Sequence, residues 1–573
     1  MDKVLIVDKI DKETYKLAKK NNCVHVVSLS NEHIVNTSDI NIVNTSHLDM
    51  EASWIGWREV ENIVNKIEDS IPNIFTFQDL DLKRAGKKQM WWLFGNKKGR
   101  IIKYSEYFKH NNIDVMVYSK YKLSSEIQQN ISDLKKRKYK RIYDNIKSLY
   151  LTFSPLTHIG AMVNKVDAIK KMGGIIIPVI GINQIELYNK LIKLYNYKNI
   201  QFTVGIPRPV QNYDNIISVM KQYNYPYSVI SPQFNSIFSL RRLQYYDLLR
   251  RKSKVIRQMV GEYEGYVLQN VVLSLLNVYR DYKYLCSSLK PEVIVTTAFE
   301  IDATADILMQ VAGNSGCKVI NLMNGMKYPL PNNRDIEFDT WCIWSESQRK
   351  MLKEVVGVPE KQFKIAGHLR ADTAMQYQYQ GSLDDYKAHI KNKYILSVFS
   401  QPQEFPGNYR NRFFNTIREF IKCNEDYVAI IKPHPRENKN DIAKVIGNCD
   451  RIIILEHTHK EPQKQLYDLL KLTDVTVVIS STVAYESLFF QKPVISLNYT
   501  GIKNILPVND NKMVLEVNAT NEFSKCVERF IQGNKNELSR DLEYYIGYLD
   551  GENNNRVKYI IDNYLKERDK EVQ

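Results

Sequence analysis

The sequence predicts an α/β protein with two Rossmann-like lobes facing a central cleft and an accessory α/β unit before them. Three observations predict it. Short apolar runs alternate with longer amphipathic stretches from Leu149 to Leu497, the pattern of a mostly parallel sheet covered by helices on both faces. The alternation is interrupted once, by a polar stretch from Gly367 to Asp385, and then restarts. The 573 residues exceed what one core holds, since a domain takes roughly 100–200. The expected division is therefore an accessory unit at 1–147, an N-terminal lobe at 148–366 and a bridge at 367–385. A C-terminal lobe at 386–520 and terminal helices at 521–573 complete it.

In the accessory unit, Val4–Val7 and Val24–Val27 read as short parallel strands around a helix at Lys12–Lys20, and Asp114–Tyr118 as a later strand. Trp91-Trp92-Leu93-Phe94-Gly95 reads as core rather than as an exposed ledge for a sugar, because large aromatics are usually buried. Asp79-Leu80-Asp81 has the D-x-D form of some metal sites but ends no apolar strand, so no metal is assigned to it. The basic stretch 130–147 reads as a solvated helix, with contact to anionic lipid head groups as the sharper alternative.

The N-terminal lobe is expected to open with a strand at Leu149–Phe153, a loop carrying His158, a helix at Ala161–Met172 and a strand at Ile175–Val179. Gly173-Gly174 supplies the helix stop. A long basic and aromatic helical region follows from Ser239 to Tyr284, then strands at Val293–Thr297, Lys318–Leu322 and Thr340–Trp344. In the C-terminal lobe the strands are expected at Tyr394–Phe399, Tyr427–Ile431, Ile452–Leu455, Val475–Ile479 and Val494–Leu497. The tail from Glu522 to Lys566 reads as helical.

Composition narrows the function classes. Seven scattered cysteines with no C-x-x-C pair argue against a disulfide framework or a structural zinc site and fit a reducing cytosol. The apolar run after Met1 is too short for a signal peptide, and no window reaches the ~18 apolar residues of a membrane span. A cytoplasmic protein that touches a membrane only peripherally, at its inner face, is the expectation. The net charge of +16 points to anionic partners. Because the basic residues are spread out and no helix-turn-helix, zinc knuckle or RNA-binding aromatic motif is present, nucleic acid is not the expected partner.

The chemistry concentrates between Val428 and Leu497. One apolar run ends in Lys432-Pro433-His434-Pro435-Arg436, where two prolines stop the strand and three potential cations favour phosphate or carboxylate. A second ends in Ser480-Ser481-Thr482 at a strand-to-helix turn. One hydroxyl is needed as a cap, and the free N–H groups there also suit a phosphate. Glu486, one turn into that helix, is read either as a surface acid or as a carboxylate for the two hydroxyls of a ribose.

Together these motifs resemble the histidine–proline and serine motifs of GT-B glycosyltransferases. The likeness is to bacterial sialyltransferases and polysialyltransferases, Kdo-transferring capsule enzymes and teichoic-acid polyol-phosphate transferases. Asp550-Gly551-Glu552-Asn553-Asn554-Asn555-Arg556 looks like the end of capsule-polymer transferases. The resemblance implies that His434 and Pro435 contact the nucleotide of a CMP-sugar donor and that Ser480 and Ser481 hold its phosphate. Lys432, Arg436 and Thr482 would add to that anion site, and Glu486 would take the ribose. It implies inverting transfer of a sugar to a surface glycan or polysaccharide, with no metal and no cofactor, the nucleotide sugar being a substrate. The acceptor base should come from the facing lobe. Glu300 and Asp302 match an acid-acid pair that lacks the glycine expected after it, Asp302 being equally suited to cap a helix, and His158 is the rival. Asn324-Gly325 stands where a His-Gly of the polyol-phosphate branch would be sought. The alternatives are a CDP-polyol phosphotransferase, a UDP-sugar enzyme of the same fold such as an epimerase, and, in another class, a nucleic-acid-binding protein.

Overall fold

The structure is a computed structural model. It describes residues 3–7, 12–23, 25–29, 41–42, 49–77, 80–111, 113–119, 129–131, 174–179, 181–204, 213–229, 240–260, 262–297, 303–323, 338–353, 359–401, 409–434, 437–456, 462–479, 481–499, 512–533 and 541–572.

Three parallel sheets follow one another along the chain. The first contains β1 (Lys3–Val7), β2 (His25–Ser28) and β3 (Asn41–Ile42). A small hairpin of β4 (Thr76–Phe77) and β5 (Leu80–Asp81) comes next, then β6 (Asp114–Ser119) and β7 (Gln129–Ile131). The sheet order is β3-β2-β1-β6-β7, so the accessory unit is itself a doubly wound sheet. β7 includes Asn130 and Ile131, which corrects the reading of 130–147 as helix from its first residue; residues 132–147 lie outside the described residues.

The second sheet contains β8 (Ile175–Val179), β9 (Ile200–Val204), β10 (Tyr227–Val229), β11 (Val293–Thr296), β12 (Lys318–Leu322), β13 (Thr340–Ile343) and β14 (Phe363–Ile365), in the order β10-β9-β8-β11-β12-β13-β14. The third contains β15 (Tyr394–Phe399), β16 (Tyr427–Lys432), β17 (Ile452–Ile454), β18 (Val475–Val478), β19 (Val494–Leu497) and β20 (Val514–Val517), in the order β17-β16-β15-β18-β19-β20. Strands of both sheets are buried along nearly their whole length, as expected where helices cover both faces. In each sheet the order reverses beside the first strand: at β8/β11 in the second and β15/β18 in the third. A crevice opens at such a switch point, beyond the carboxyl ends of the strands.

The two larger sheets form two Rossmann-like lobes. The bridge is more than the polar linker the sequence suggests. It forms a helix, Leu369–Gln376, and Leu383 within it is fully buried. Asp468 of the C-terminal lobe clamps it, accepting from the Tyr377 hydroxyl (3.0 Å) and from the backbone N–H groups of Gln380 and Ser382 (2.7 Å each). Among the described residues the tail forms three helices, Thr520–Gln532, Leu542–Ile546 and Asn553–Val572. The last crosses back to the second sheet, where Val557 and Ile561 enter its core. Among the described residues, no helix is long and apolar enough to cross a membrane.

Candidate functional site

Register places the first motif. Phe399 of β15 pairs with Lys432 of β16 on one side and with Val478 of β18 on the other, so the three strands end level. The chain leaves this row toward His434 on one strand and toward Ser481 on the other. Both predicted motifs therefore reach one sheet edge, on either side of β15.

The Lys432 ammonium donates to Gln465 Oε1 (3.0 Å), and burial pulls its pKa below the usual lysine value. His434 sits half-buried in a turn closed by the Glu437 N–H on its carbonyl (2.8 Å). The Glu437 carboxylate, whose side chain is 4% exposed, holds that turn from three directions. It accepts from the His434 backbone N–H (3.1 Å), from Ser400 Oγ just past β15, and from Arg410 Nε (3.4 Å). The presentation of His434 is therefore set by the strand next door and by the helix that follows it.

On the other side, Ser481 Oγ accepts from the Val483 N–H (3.3 Å), so one hydroxyl does serve the helix start. Thr482 is exposed and makes no side-chain cap bond. Glu486 is not a surface acid: the residue is 7% exposed. Its Oε1 accepts from Arg370 Nη1 (3.0 Å), while its buried Oε2 has no hydrogen-bond partner among the described residues.

Arg370 belongs to the bridge helix. His368 caps that helix, its Nδ1 accepting from the Arg370 N–H (3.1 Å), which leaves the ring proton on Nε2. The ring packs edge-on to Trp344 (centroids 4.3 Å apart) and against Phe489 (4.9 Å). Burial first, and then the Arg370 charge, hold its pKa well below the usual histidine value, so it is neutral.

The facing lobe contributes Glu186, on the helix Ile182–Leu194 after β8. That helix is anchored at the β8/β11 switch point by Gln184 Nε2, which donates to Thr297 Oγ1 (2.6 Å). Burial raises the Glu186 pKa, with Arg370 opposing and Glu486 reinforcing. Arg370 of the bridge thus pairs with Glu486 of the C-terminal lobe, and its charge also reaches Glu186 of the N-terminal lobe.

Of the residues singled out in the sequence, Lys432, His434, Ser481, Thr482 and Glu486 come to this edge. Pro435, Arg436, Ser480, His158, Glu300, Asp302 and Asn324-Gly325 lie outside the described residues. Four residues escaped the sequence reading: Glu437, Gln465, Arg370 and Glu186. Glu437 carried a usable signal, an acid three residues after the histidine in a proline-bounded turn. The other three had none, since distant segments bring them in. Elsewhere, Trp91 is core, 1% exposed with its Nε1–H donating to Ser53 O (3.0 Å). Asp81 ends β5, and its Oδ1 accepts from the Lys83 N–H at the start of the next helix (2.7 Å). Among the described residues, no group of three or more His, Cys, Asp and Glu side chains is arranged to hold a metal.

No protein-family model matches the chain, and no curated protein matches it. Solved structures similar to it include the S. aureus MnaA–UDP complex, at 14% identity and a TM-score of 0.47, covering 69% of this chain and 97% of the other. The Neisseria meningitidis UDP-GlcNAc 2-epimerase bound to UDP-GlcNAc is 14% identical with a TM-score of 0.44, covering 69% of this chain and 100% of its own. The wall teichoic acid polymerase TagF is 10% identical with a TM-score of 0.38, covering 75% of this chain and 100% of its own. The two Rossmann-like lobes stand on strand order and register.

Proposed function

We propose that the protein is a metal-independent, inverting GT-B glycosyltransferase that uses a nucleotide-activated sugar, with a CMP-sugar of sialic-acid or Kdo type favoured. The acceptor is a surface glycan or polysaccharide, at or near the inner face of the membrane. The observation that carries this reading is the level ending of β16, β15 and β18, which brings a Lys–His anion site and a hydroxyl-bearing helix start to the two sides of one crevice. A nucleoside phosphate needs both, together with a carboxylate for its ribose, and Glu486 lies one helical turn from Ser481 with one oxygen unpartnered.

In this reading Lys432, His434 and Arg436 share the leaving phosphate with Ser480, Ser481 and Thr482. Positive charge placed where the leaving group develops negative charge lowers the barrier without a metal. The C-terminal lobe (386–520) holds the donor and the N-terminal lobe (148–366) the acceptor. Asp302, Glu300 or His158 removes the acceptor proton.

Thermal-shift titration with CMP, CDP, UDP and GDP tests this. At a concentration of about 100 Kd, the cognate nucleotide stabilises the fold by ~2.7 kcal/mol. CMP as the strongest ligand supports a transfer that releases CMP, from a CMP-sugar or a CDP-polyol alike, and UDP turns the assignment to a UDP-sugar enzyme of the same fold. His434→Ala should abolish the nucleotide shift and donor turnover while leaving the unliganded melting temperature within a few degrees. A variant that turns over normally would sink the donor-site assignment.

A further inference from the structure

Among the described residues Glu486 is paired at one oxygen only, and its partner is neither on its own helix nor in its own lobe. Arg370 Nη1 reaches it from the bridge at 3.0 Å, with side-chain exposures of 20% for Arg370 and 10% for Glu486. Among the described residues, the buried Oε2 atom has no donor. The Arg370 backbone is fixed in turn by the His368 cap and by the ring packing of His368 against Trp344 and Phe489. The helix bearing Arg370 also packs against the helices that carry Glu186 and Glu486.

This arrangement has a chemical consequence. A carboxylate held by a single guanidinium nitrogen has a fixed rotamer, and its second oxygen is presented in one direction rather than swept through several. Without Arg370, Glu486 would meet Glu186 as a like charge in a partly desolvated seam and would turn away or take up a proton. The fixed second oxygen suits a ligand that brings hydroxyl donors. A ribose diol is such a ligand, whereas a phosphate or a carboxylate is repelled.

Resting on the donor-site reading above, we propose that Arg370 is a positioning residue for the nucleotide's sugar: it holds Glu486 by Oε1 so that Oε2 accepts from a ribose hydroxyl. The bridge thereby makes the site selective for ribonucleotides over 2′-deoxynucleotides. The helix of Glu186, in the facing lobe, packs against the helix of Arg370, which makes that selectivity depend on the lobes being together.

The experiment compares the affinity of the full chain for CMP, CDP, UDP and GDP with that for their 2′-deoxy forms. The wild type should bind the ribo form of its cognate nucleotide at least about tenfold more tightly, the scale of one hydrogen bond to a charged group. Arg370→Ala and Glu486→Gln should each bring that ratio near one, by weakening the ribo form more than the deoxy form. A purely structural role would lower both affinities together. Because Arg370→Ala leaves two acids facing one another and risks misfolding, Arg370→Lys is the second variant. It keeps the charge but not the planar fork, and its ratio should fall at least threefold while its melting temperature stays close to the wild type.

Unchanged discrimination in folded Arg370→Lys or Arg370→Ala overturns the proposal. So does a wild type that binds a nucleotide but does not distinguish ribose from deoxyribose, a result that leaves the donor-site reading intact. A wild type that binds none of the eight nucleotides removes the donor-site reading itself.

Discussion

At the scale of single residues, the site depends on groups that never meet a ligand. Glu437 is the clearest. Its carboxylate ties the His434 turn to Ser400 and Arg410, and replacing it with alanine leaves a backbone N–H, a hydroxyl and a guanidinium without that acceptor. Each such loss costs about 1–3 kcal/mol where the group is buried. Glu437→Ala should therefore lower the melting temperature of the C-terminal lobe and weaken nucleotide binding. Glu437→Gln, which keeps one acceptor oxygen, should do both by less; a nucleotide affinity equal to wild type in Glu437→Ala would disconnect the turn from the site. His368 gives a pH dependence with a definite sign. Its pKa in the folded protein lies well below the unfolded value of 6.5, so between the two the unfolded chain binds the extra proton. Its contribution to stability is complete above about pH 6.5 and is lost as the pH falls below that, by up to ~1.4 kcal/mol per pH unit. Urea melts from pH 7.5 to 5 should show a shallower decline for His368→Gln than for the wild type, and parallel curves would count against a buried neutral ring.

At the scale of elements, strand positions were legible and strand order was not. The runs at Ile175–Val179, Tyr394–Phe399 and Val475–Val478 announce themselves because a strand buried on both faces is apolar throughout. Nothing local says that β8 and β15 lie in the middle of their sheets, since that follows from how crossovers pack. The accessory sheet was harder still. β3 is only two residues long, and the helices Asp49–Ser70, Lys83–Met90 and Asn96–His110 separate it from β6. Two of those helices meet backbone to backbone. A Cβ added at Gly99 would stand 1.8 Å from Ala52 O, and one at Gly56 would stand 2.1 Å from Gly95 O. Neither obstacle is a side chain that can swing away. Gly99→Ala should thus destabilise by roughly 1–3 kcal/mol or more, although alanine is the better helix former. Gly313, at the end of the helix Ala303–Asn314, is the matched control: nothing lies within 4 Å of its added Cβ. Gly313→Ala should be neutral or stabilising by about 0.4–1 kcal/mol. Equal effects of the two substitutions, read as shifts in denaturation midpoint, would refute the close approach.

At the scale of the whole molecule, the two lobes are joined twice, by the bridge and by the returning last helix, and the two joins are locked to each other. Asp372 of the bridge, fully buried, accepts from the N–H groups of Asn553 (3.0 Å) and Asn554 (2.8 Å) and from Asn554 Nδ2 (2.8 Å). Asn553 Nδ2 returns the connection, donating to His368 O (3.1 Å) and Tyr548 O (3.0 Å). Gly367 lets the chains approach this closely. Its φ is +76°, and an added Cβ would lie 2.1 Å from Asn553 Oδ1. The run of asparagines was conspicuous in the sequence, but its use was not legible there, because its partner lies about 180 residues earlier. Asp372→Ala leaves two buried N–H groups without an acceptor at the start of the last helix, and leaves the Asn554 amide only the Leu369 carbonyl, a loss on the order of 3–5 kcal/mol when a buried charged acceptor is removed. The cost should fall on the join and not on the sheets. Limited proteolysis should release the segment beyond Leu549 several times faster than in the wild type, while the Asp49–Ser70 and Asn96–His110 helices keep their amide protection. Nucleotide affinity should fall as well, because the loosened bridge helix is the one that carries Arg370. If the tail is released no faster in Asp372→Ala, the lock between bridge and tail is not what holds the lobes together, and the affinity loss should then be absent too.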